Sequence, residues 1–178
     1  MNNQTKTMGS FSVKLLAQAG LIAALYVVLT VAFAPFSFKE IQVRLAEMLT
    51  IMPFFTLAGI PGVTIGCLLG NILSGAALPD IIFGTMATLI GAVFTYYLGR
   101  RYESAGQSLS PVPTTKLISG TIPPIVSNAL IIPFVIKYAY GSPMPIWLMI
   151  ITVGVGEVVS CGILGVIFGH AISRLKQF

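Results

Sequence analysis

The sequence predicts an all-α integral membrane protein with six transmembrane helices. Hydrophobic residues make up 56% of the 178 residues and charged residues only 8%, which leaves too little polar surface to cover a water-soluble domain. A helix needs about 20 residues to cross a ~30 Å hydrocarbon layer, so the chain can cross about six times if its loops are short. One membrane domain, residues 1–178, therefore takes up the whole chain.

Six apolar runs follow a polar tail of residues 1–14. The predicted helices cover residues 15–33, 46–58, 63–74, 81–98, 117–136 and 146–172. The first run resembles a signal peptide, because lysines precede it and the triplet Ala32-Phe33-Ala34 follows it. Since the run is long and Pro35 would follow the cleavage site, we predict an uncleaved helix.

The second and third runs are short, and Gly59-Ile60-Pro61-Gly62 is predicted to form the turn between them. Membrane proteins tolerate short segments interrupted by Gly and Pro where the backbone lines a cavity walled by protein. The pair therefore points to a binding site, with a thin or tilted helical hairpin as the alternative.

The distribution of basic residues predicts that both termini are cytoplasmic. The predicted cytoplasmic side carries Lys6, Lys14, Arg100, Arg101, Lys116, Arg174 and Lys176, and the other side carries Lys39, Arg44 and Lys137. This excess follows the positive-inside rule, so the net charge of +5 indicates membrane topology rather than nucleic-acid binding. The polar loop 103–116 then lies inside as a mobile connector.

Glu157 stands out because it lies near the middle of the sixth run, in "GVGEVVSCG". An acid at the centre of a membrane costs about 2.5–3.5 kcal/mol even on the insertion scale. Gly154 and Ser160 lie three residues to either side, so small groups share its helical face. We interpret Glu157 as a ligand-binding acid; the alternative is a buried acid that is protonated or paired with a base from a loop.

Further polar groups concentrate in the stretch "IQVRLAEMLT" and in two other helices. Gln42, Arg44 and Glu47 occur within six positions on the predicted external side, where they can cap a pocket. The alternative is a hydrated loop with an exposed Arg44–Glu47 ion pair of little energetic value. Asn71 and Asn128 lie within apolar runs and need specific partners there, because each amide has two donors and an acceptor.

The remaining polar residues suggest structural roles. We predict that Asp80 caps the fourth helix, that Cys67 and Cys161 are buried thiols without a chemical role, and that Thr64, Thr88 and Thr95 serve helix packing. The sequence contains no HExxH, P-loop or GxSxG motif and no paired metal-ligating carboxylates, so neither catalysis, a cofactor nor a metal is expected.

Ala19 and Ala23, with Gly20 and Ala24 beside them, form a stripe of small residues along the first helix. Such stripes allow close helix packing, either within the protein or against another protein.

Five sequence blocks resemble the queuosine-precursor transporter (QueT) family in order and spacing. They are "EIQVRLAEMLTIMPFF", "IPGVTIGCLLGNILSG", "DIIFGTMATLIGAVFTYYL", "PPIVSNALIIP" and "VGVGEVVSCGILG". The resemblance covers nearly the whole chain and implies a six-helix S component of an energy-coupling factor (ECF) transporter, in the cell membrane. Such a component binds a micronutrient and joins a transmembrane T component and two ATPases. The stripe at Ala19 and Ala23 matches the family's docking motif for the T component.

The implied ligand is a 7-deazaguanine such as 7-aminomethyl-7-deazaguanine, which carries a cationic aminomethyl group and a guanine-like edge. Glu47 and Glu157 are the expected partners of the cation and of the N–H groups on that edge. The resemblance assigns the neutral hydrogen bonds to Gln42, Asn71 and Asn128, and gives Arg44 the role of orienting Glu47 or contacting the ligand carbonyl. Phe54, Phe55 and Tyr96 are candidates for stacking on the bicyclic ring.

Three alternatives remain open. The first is an S component for another vitamin or nucleobase. The second is a self-sufficient small secondary transporter, and the third is a membrane enzyme with Glu157 as a base. The halves of the sequence show no convincing internal repeat, which disfavours the secondary transporter.

Overall fold

The computed structural model describes residues 4–33, 43–109 and 111–175, with side chains from residue 13 onward. Every regular element in those ranges is helical. In chain order the helices are α1 Gln4–Ala32, α2 Leu45–Phe55, α3 Gly59–Leu73, α4 Leu78–Ser104, α5 Thr114–Ala139 and α6 Ile146–Arg174. The six apolar runs therefore predicted the six helical segments, with ends that differ by several residues.

Four of these helices, α1, α4, α5 and α6, are long and apolar enough to cross a membrane. The 15-residue α3 is shorter, and α2 consists of a seven-residue 3-10 turn followed by four α-helical residues. The expectation of six full crossings is therefore supported for four helices, and the sidedness of the termini stays a prediction.

The short α2 lies at the centre of the protein rather than at the lipid surface. Ile51 is fully buried, and Leu49, Phe54 and Glu47 are at most 3% exposed. Helices α1, α3, α4 and α6 all contact it. Because α2 is enclosed by protein, its length does not have to match the bilayer, and its irregular backbone is not exposed to hydrocarbon.

The predicted turn at Gly59–Gly62 is wrong, because Gly59 already begins α3. The chain reverses at Thr56, whose backbone is extended (φ −149°, ψ 142°). A Cβ atom on Gly59 would lie 2.4 Å from the backbone nitrogen of Pro53. Glycine is needed there because α2 and α3 approach so closely. The Gly-Pro pattern that predicted a turn is therefore explained by this close contact between the helices.

Small residues set the other helix crossings. Cβ atoms on Gly62 and Gly66 of α3 would lie 2.8 Å and 2.6 Å from side-chain atoms of Ile22 and Tyr26 on α1. The stripe at Ala19 and Ala23 therefore packs within the protein, and both alanines are 9% exposed. Close approach through small residues is the usual way for membrane helices to gain packing contacts.

Helix α5 continues through Pro123 and Pro124 without an interruption. The expectation that the loop before it is a mobile connector is wrong. The loop is anchored by Val112, which is 1% exposed and packs with Phe54 and Leu117. This packing contact excludes a freely mobile connector.

Candidate functional site

A network of buried polar side chains connects the helices. Six members carry a charge or a side-chain amide and are at most 6% exposed: Arg44, Glu47, Asn71, Asp80, Asn128 and Glu157. Burial of such groups is costly unless each finds partners. Five of the six are residues that the sequence predicted as ligand-binding; the other predicted one, Gln42, lies outside the described residues.

Glu47 and Glu157 meet at the centre of this network. The hydroxyl of Tyr26 donates to Glu47 Oε1 at 2.5 Å, and the thiol of Cys161 donates to Glu157 Oε2 at 3.1 Å. The side chain of Asn128 lies close to both carboxylates. The fold therefore brings two acids from distant parts of the sequence together and holds them with neutral donors.

This acid pair is suited to a positively charged group. One oxygen of each carboxylate and Sγ of Cys161 lie within 4.8 Å of one another, which is close enough to share a cation. Among the described residues, the buried acids Glu47, Glu157 and Asp80 outnumber the one buried base, Arg44. An interior with more carboxyl groups than bases favours an ammonium ligand or a metal ion, because either would offset the repulsion between the two carboxylates when both are ionised.

The backbone of α6 changes form next to Glu157. Residues Val158–Leu164 are π-helical, and this segment contains Ser160 and Cys161. Short π-helical segments inside α-helices are frequent at functional sites. Ser160 Oγ is buried and has no hydrogen-bond partner among the described residues, so this segment adds a free polar group close to Glu157 in sequence.

A second cluster joins the start of α2 to α4 and to the end of α5. Arg44 Nη2 and Asp80 Oδ2 lie 3.4 Å apart, and the hydroxyl of Tyr140 donates to the same oxygen at 3.0 Å. Burial, together with the Asp80 carboxylate, raises the pKa of Tyr140, so its hydroxyl stays protonated and remains a donor at neutral pH.

This cluster corrects one prediction and excludes one alternative. Asp80 does not cap α4, since the N-cap is Ala77 and no side chain caps that end. Arg44 does not form an exposed ion pair with Glu47, because both are buried and the arginine pairs with Asp80. The sequence offers no short-range signal for a pair of residues 36 positions apart.

Asn71 and Cys67 lie between the two clusters. Asn71 Nδ2 donates to Cys67 Sγ at 3.6 Å, and Thr88 Oγ1 donates to the same sulfur at 3.3 Å. Cys67 also contacts the hydroxyl of Tyr26, which reaches Glu47. The two thiols are thus buried as predicted, but both take part in the polar network.

The aromatic residues chosen as stacking candidates lie elsewhere. Phe54 and Phe55 pack against each other with ring centroids 5.5 Å apart, and Phe54 also packs against Tyr102. Tyr96 lines a groove of about 370 Å³ together with Lys14 and Arg100. Tyr26, which the sequence did not single out because it sits in an ordinary apolar run, is the aromatic residue in contact with the acid pair.

Comparisons with known proteins agree with this architecture. The sequence model described as "QueT transporter" matches residues 16–174 of the chain. A protein of Lactococcus lactis subsp. cremoris (strain MG1363) named "Queuosine precursor transporter QueT" is 42% identical over 72 residues, which are 39% of this chain and 42% of that protein. The chain thus covers less than half of that relative's length, and no solved structure matches it.

Proposed function

Because the chain belongs to the QueT transporter family, we propose that it is the substrate-binding S component of an ECF-type importer for a queuosine precursor. The ligand is 7-aminomethyl-7-deazaguanine or a related 7-deazaguanine. The observation that carries this proposal is the meeting of Glu47 and Glu157 in a buried site where carboxyl groups outnumber bases among the described residues.

The proposed ligand matches the chemistry of this site. Its aminomethyl group is a cation with three donors, and two neighbouring carboxylates supply the charge and the acceptors that it needs. Tyr26 already donates to one oxygen of Glu47, and Cys161 donates to one of Glu157. These donors hold the acids in place, and Asn128 lies close to both.

Arg44 has a different role in this proposal from the one that the sequence suggested. Its guanidinium group is 3.4 Å from Asp80, so it ties the start of α2 to α4. Residues 34–42, which include Gln42, come directly before this tie in the chain. We assign Arg44 the function of holding the start of α2 against α4, and Gln42 a hydrogen bond to the ligand.

Uptake requires partners in this proposal. The sequence has no P-loop, so ATP hydrolysis belongs to two separate ATPase subunits that act through a T component. The docking surface for the T component is a groove of about 440 Å³ between α1 and the α2–α3 region, lined by Leu15, Leu16, Ala19, Gly20, Ala23, Leu57, Ala58, Pro61 and Ile65. Ala19 and Ala23 are 9% exposed, while Gly20 is exposed and a Cβ atom on it would meet no atom within 4 Å.

The test combines binding with uptake. Calorimetry on the detergent-purified protein with 7-aminomethyl-7-deazaguanine, guanine and thiamine should show saturable binding of the deazaguanine alone. Cells that contain the protein together with the T component and ATPases should take up the labelled compound, and cells with the protein alone should not. Binding of thiamine or guanine instead would support an S component for another ligand. Uptake by the protein alone would identify a self-sufficient transporter.

A further inference from the structure

An apolar groove of about 550 Å³ runs along the outer surface of the protein between α4 and α5. Its walls include Ile90, Phe94, Tyr97, Ile122, Val126 and Leu130. These six side chains are 40–64% exposed, and both helices are long and apolar enough to cross a membrane. The groove therefore opens to the surrounding lipid rather than into the buried polar network.

Close contacts between α4 and α5 hold the two walls of this groove in place. A Cβ atom on Gly91 would lie 2.7 Å from Cα of Pro124, so the helices touch directly there. Pro124 has no N–H for the carbonyl oxygen four residues before it, that of Gly120. Thr95 Oγ1 of α4 donates to this oxygen instead, at 2.8 Å. The helices are thus fixed to each other, and the groove exists before anything binds in it.

A second groove, with a basic lining, begins where the apolar groove ends. The two share Leu98 and Arg101 as lining residues. The second groove has a volume of about 700 Å³, and Lys116 lines it together with Arg101. No acid is among its lining residues. An apolar groove and a positively charged groove therefore meet at one arginine.

The protein does not neutralise these two cations in the part of the chain that the structure describes. Glu103, the acid nearest to Arg101 in sequence, pairs with Arg100 at 2.7 Å, and the other ion pair in that part joins Arg44 to a different acid. Arg101 and Lys116 are both exposed. They are available to an anion from outside the protein.

The length of the apolar groove matches the depth of one lipid leaflet. Arg101 and Ile90 line its two ends on α4, eleven residues apart, which is about 16 Å along the helix. Half of a ~30 Å hydrocarbon layer is ~15 Å. An acyl chain that starts at Arg101 therefore runs along the whole groove and ends near the middle of the membrane.

We propose that the two grooves form one binding site for an anionic phospholipid, with an acyl chain in the apolar groove and the phosphate at Arg101 and Lys116. Basic pockets between transmembrane helices are known to bind such headgroups. Gln107 and Ser119 add an amide and a hydroxyl to the lining, which suit the hydroxyl groups of a glycerol headgroup. A zwitterionic headgroup binds less well, because its own ammonium group is repelled by the same two cations.

Native mass spectrometry on the full-length protein in detergent tests this site. Phosphatidylglycerol and phosphatidylcholine with the same acyl chains are added together in equal amounts, and the wild type should bind phosphatidylglycerol in preference. Arg101→Gln and Lys116→Gln should each lower the affinity for phosphatidylglycerol about 5-fold, and the double variant about 25-fold. Arg174→Gln is the matched control, because it removes one exposed cation that lines neither groove.

A second pair of variants tests the acyl chain. Val126→Trp fills the apolar groove and should lower the binding of both lipids. Val28→Trp on α1 is its control, because Val28 is also exposed, at 62% against 48% for Val126, and does not line the groove. Glycerol phosphate, which has the charged group without the chains, should not displace phosphatidylglycerol at equal concentration.

Three results would overturn the lipid site. Equal binding of the two lipids by the wild type would show that the headgroup charge is not read. A loss of preference in Arg174→Gln as large as in Arg101→Gln would show a general attraction to basic residues instead of a site. Undiminished binding by Val126→Trp, or displacement by glycerol phosphate, would show that no acyl chain lies in the groove.

Discussion

Replacement of Glu157 by glutamine tests the acid pair directly. The change removes an ionisable carboxyl group while it keeps the size of the side chain and an oxygen that can accept from Cys161, the partner 3.1 Å away. A hydrogen bond between charged groups contributes about 1.5–3 kcal/mol, so the affinity for 7-aminomethyl-7-deazaguanine should fall about 10- to 150-fold.

The same substitution should not unfold the protein. Glu157 and Glu47 are neighbouring buried carboxylates, and removal of one charge relieves their repulsion and the cost of burying it. We therefore expect the melting temperature of the Glu157→Gln variant to equal or exceed that of the wild type. A loss of binding in a protein of undiminished stability would identify Glu157 as a ligand contact rather than a structural residue.

Calorimetry is the primary assay for this comparison. Trp147 lies ten residues before Glu157 on α6, about 15 Å along the helix, so its fluorescence is a secondary reporter. Glu103→Gln is the matched control. Glu103 is exposed, does not belong to the acid pair, and forms an ion pair with Arg100 at a distance of 2.7 Å. If Glu157→Gln binds the ligand as tightly as the wild type, the reasoning from the acid pair is refuted.

Two further predictions concern helix packing and docking. Gly99→Ala should lower the melting temperature, because its Cβ atom would lie within 2.1 Å of the Phe54 carbonyl oxygen and force α2 and α4 apart; an unchanged melting temperature, equal to that of Gly154→Ala, would contradict this. Gly20→Leu should leave ligand binding intact but abolish uptake with the T component and ATPases, because a Cβ atom on Gly20 would meet no atom within 4 Å while the leucine side chain would occupy the outer groove. Normal uptake would exclude that groove as the docking surface.

Gly20 is a better position than Ala23 for the docking variant, because Ala23 lies where α1 packs against α3. A Cβ atom on Gly66 would lie 3.1 Å from Cα of Ala23, so α1 and α3 are already in close contact there. A leucine at Ala23 would disturb this contact between helices of the same protein. Loss of uptake in such a variant would therefore not distinguish docking from folding.

The helices could be predicted from the sequence because their signal is local. An apolar run of sufficient length forms a helix in a membrane wherever it occurs, since no other structure satisfies its backbone there. Glu157 could be singled out for a similar reason, because one acid inside an apolar run is conspicuous without any knowledge of its neighbours. Asn71 and Asn128 were recognised on the same basis.

The partners of these residues could not be predicted, because each belongs to a different helix. The sequence places Arg44 three residues from Glu47, which leaves a local ion pair open as an alternative, but the short α2 is buried and the arginine pairs with Asp80 on α4. Tyr26 lies in an ordinary apolar run, and only the packing of α1 beside α2 brings its hydroxyl to Glu47. Spacing along one chain carries no information about such crossings.

Composition and apolar periodicity by themselves determined that this protein is a helical membrane domain with a few buried polar residues, because the cost of exposing a backbone or burying a charge in hydrocarbon depends on local sequence alone. Only the tertiary structure decided that Glu47 and Glu157 form one acid pair, that Asp80 is a member of the network rather than a helix cap, and that residues Val158–Leu164 form a π-helical segment. These features depend on how closely the glycine-lined helices approach one another, and contacts between distant segments fix that geometry.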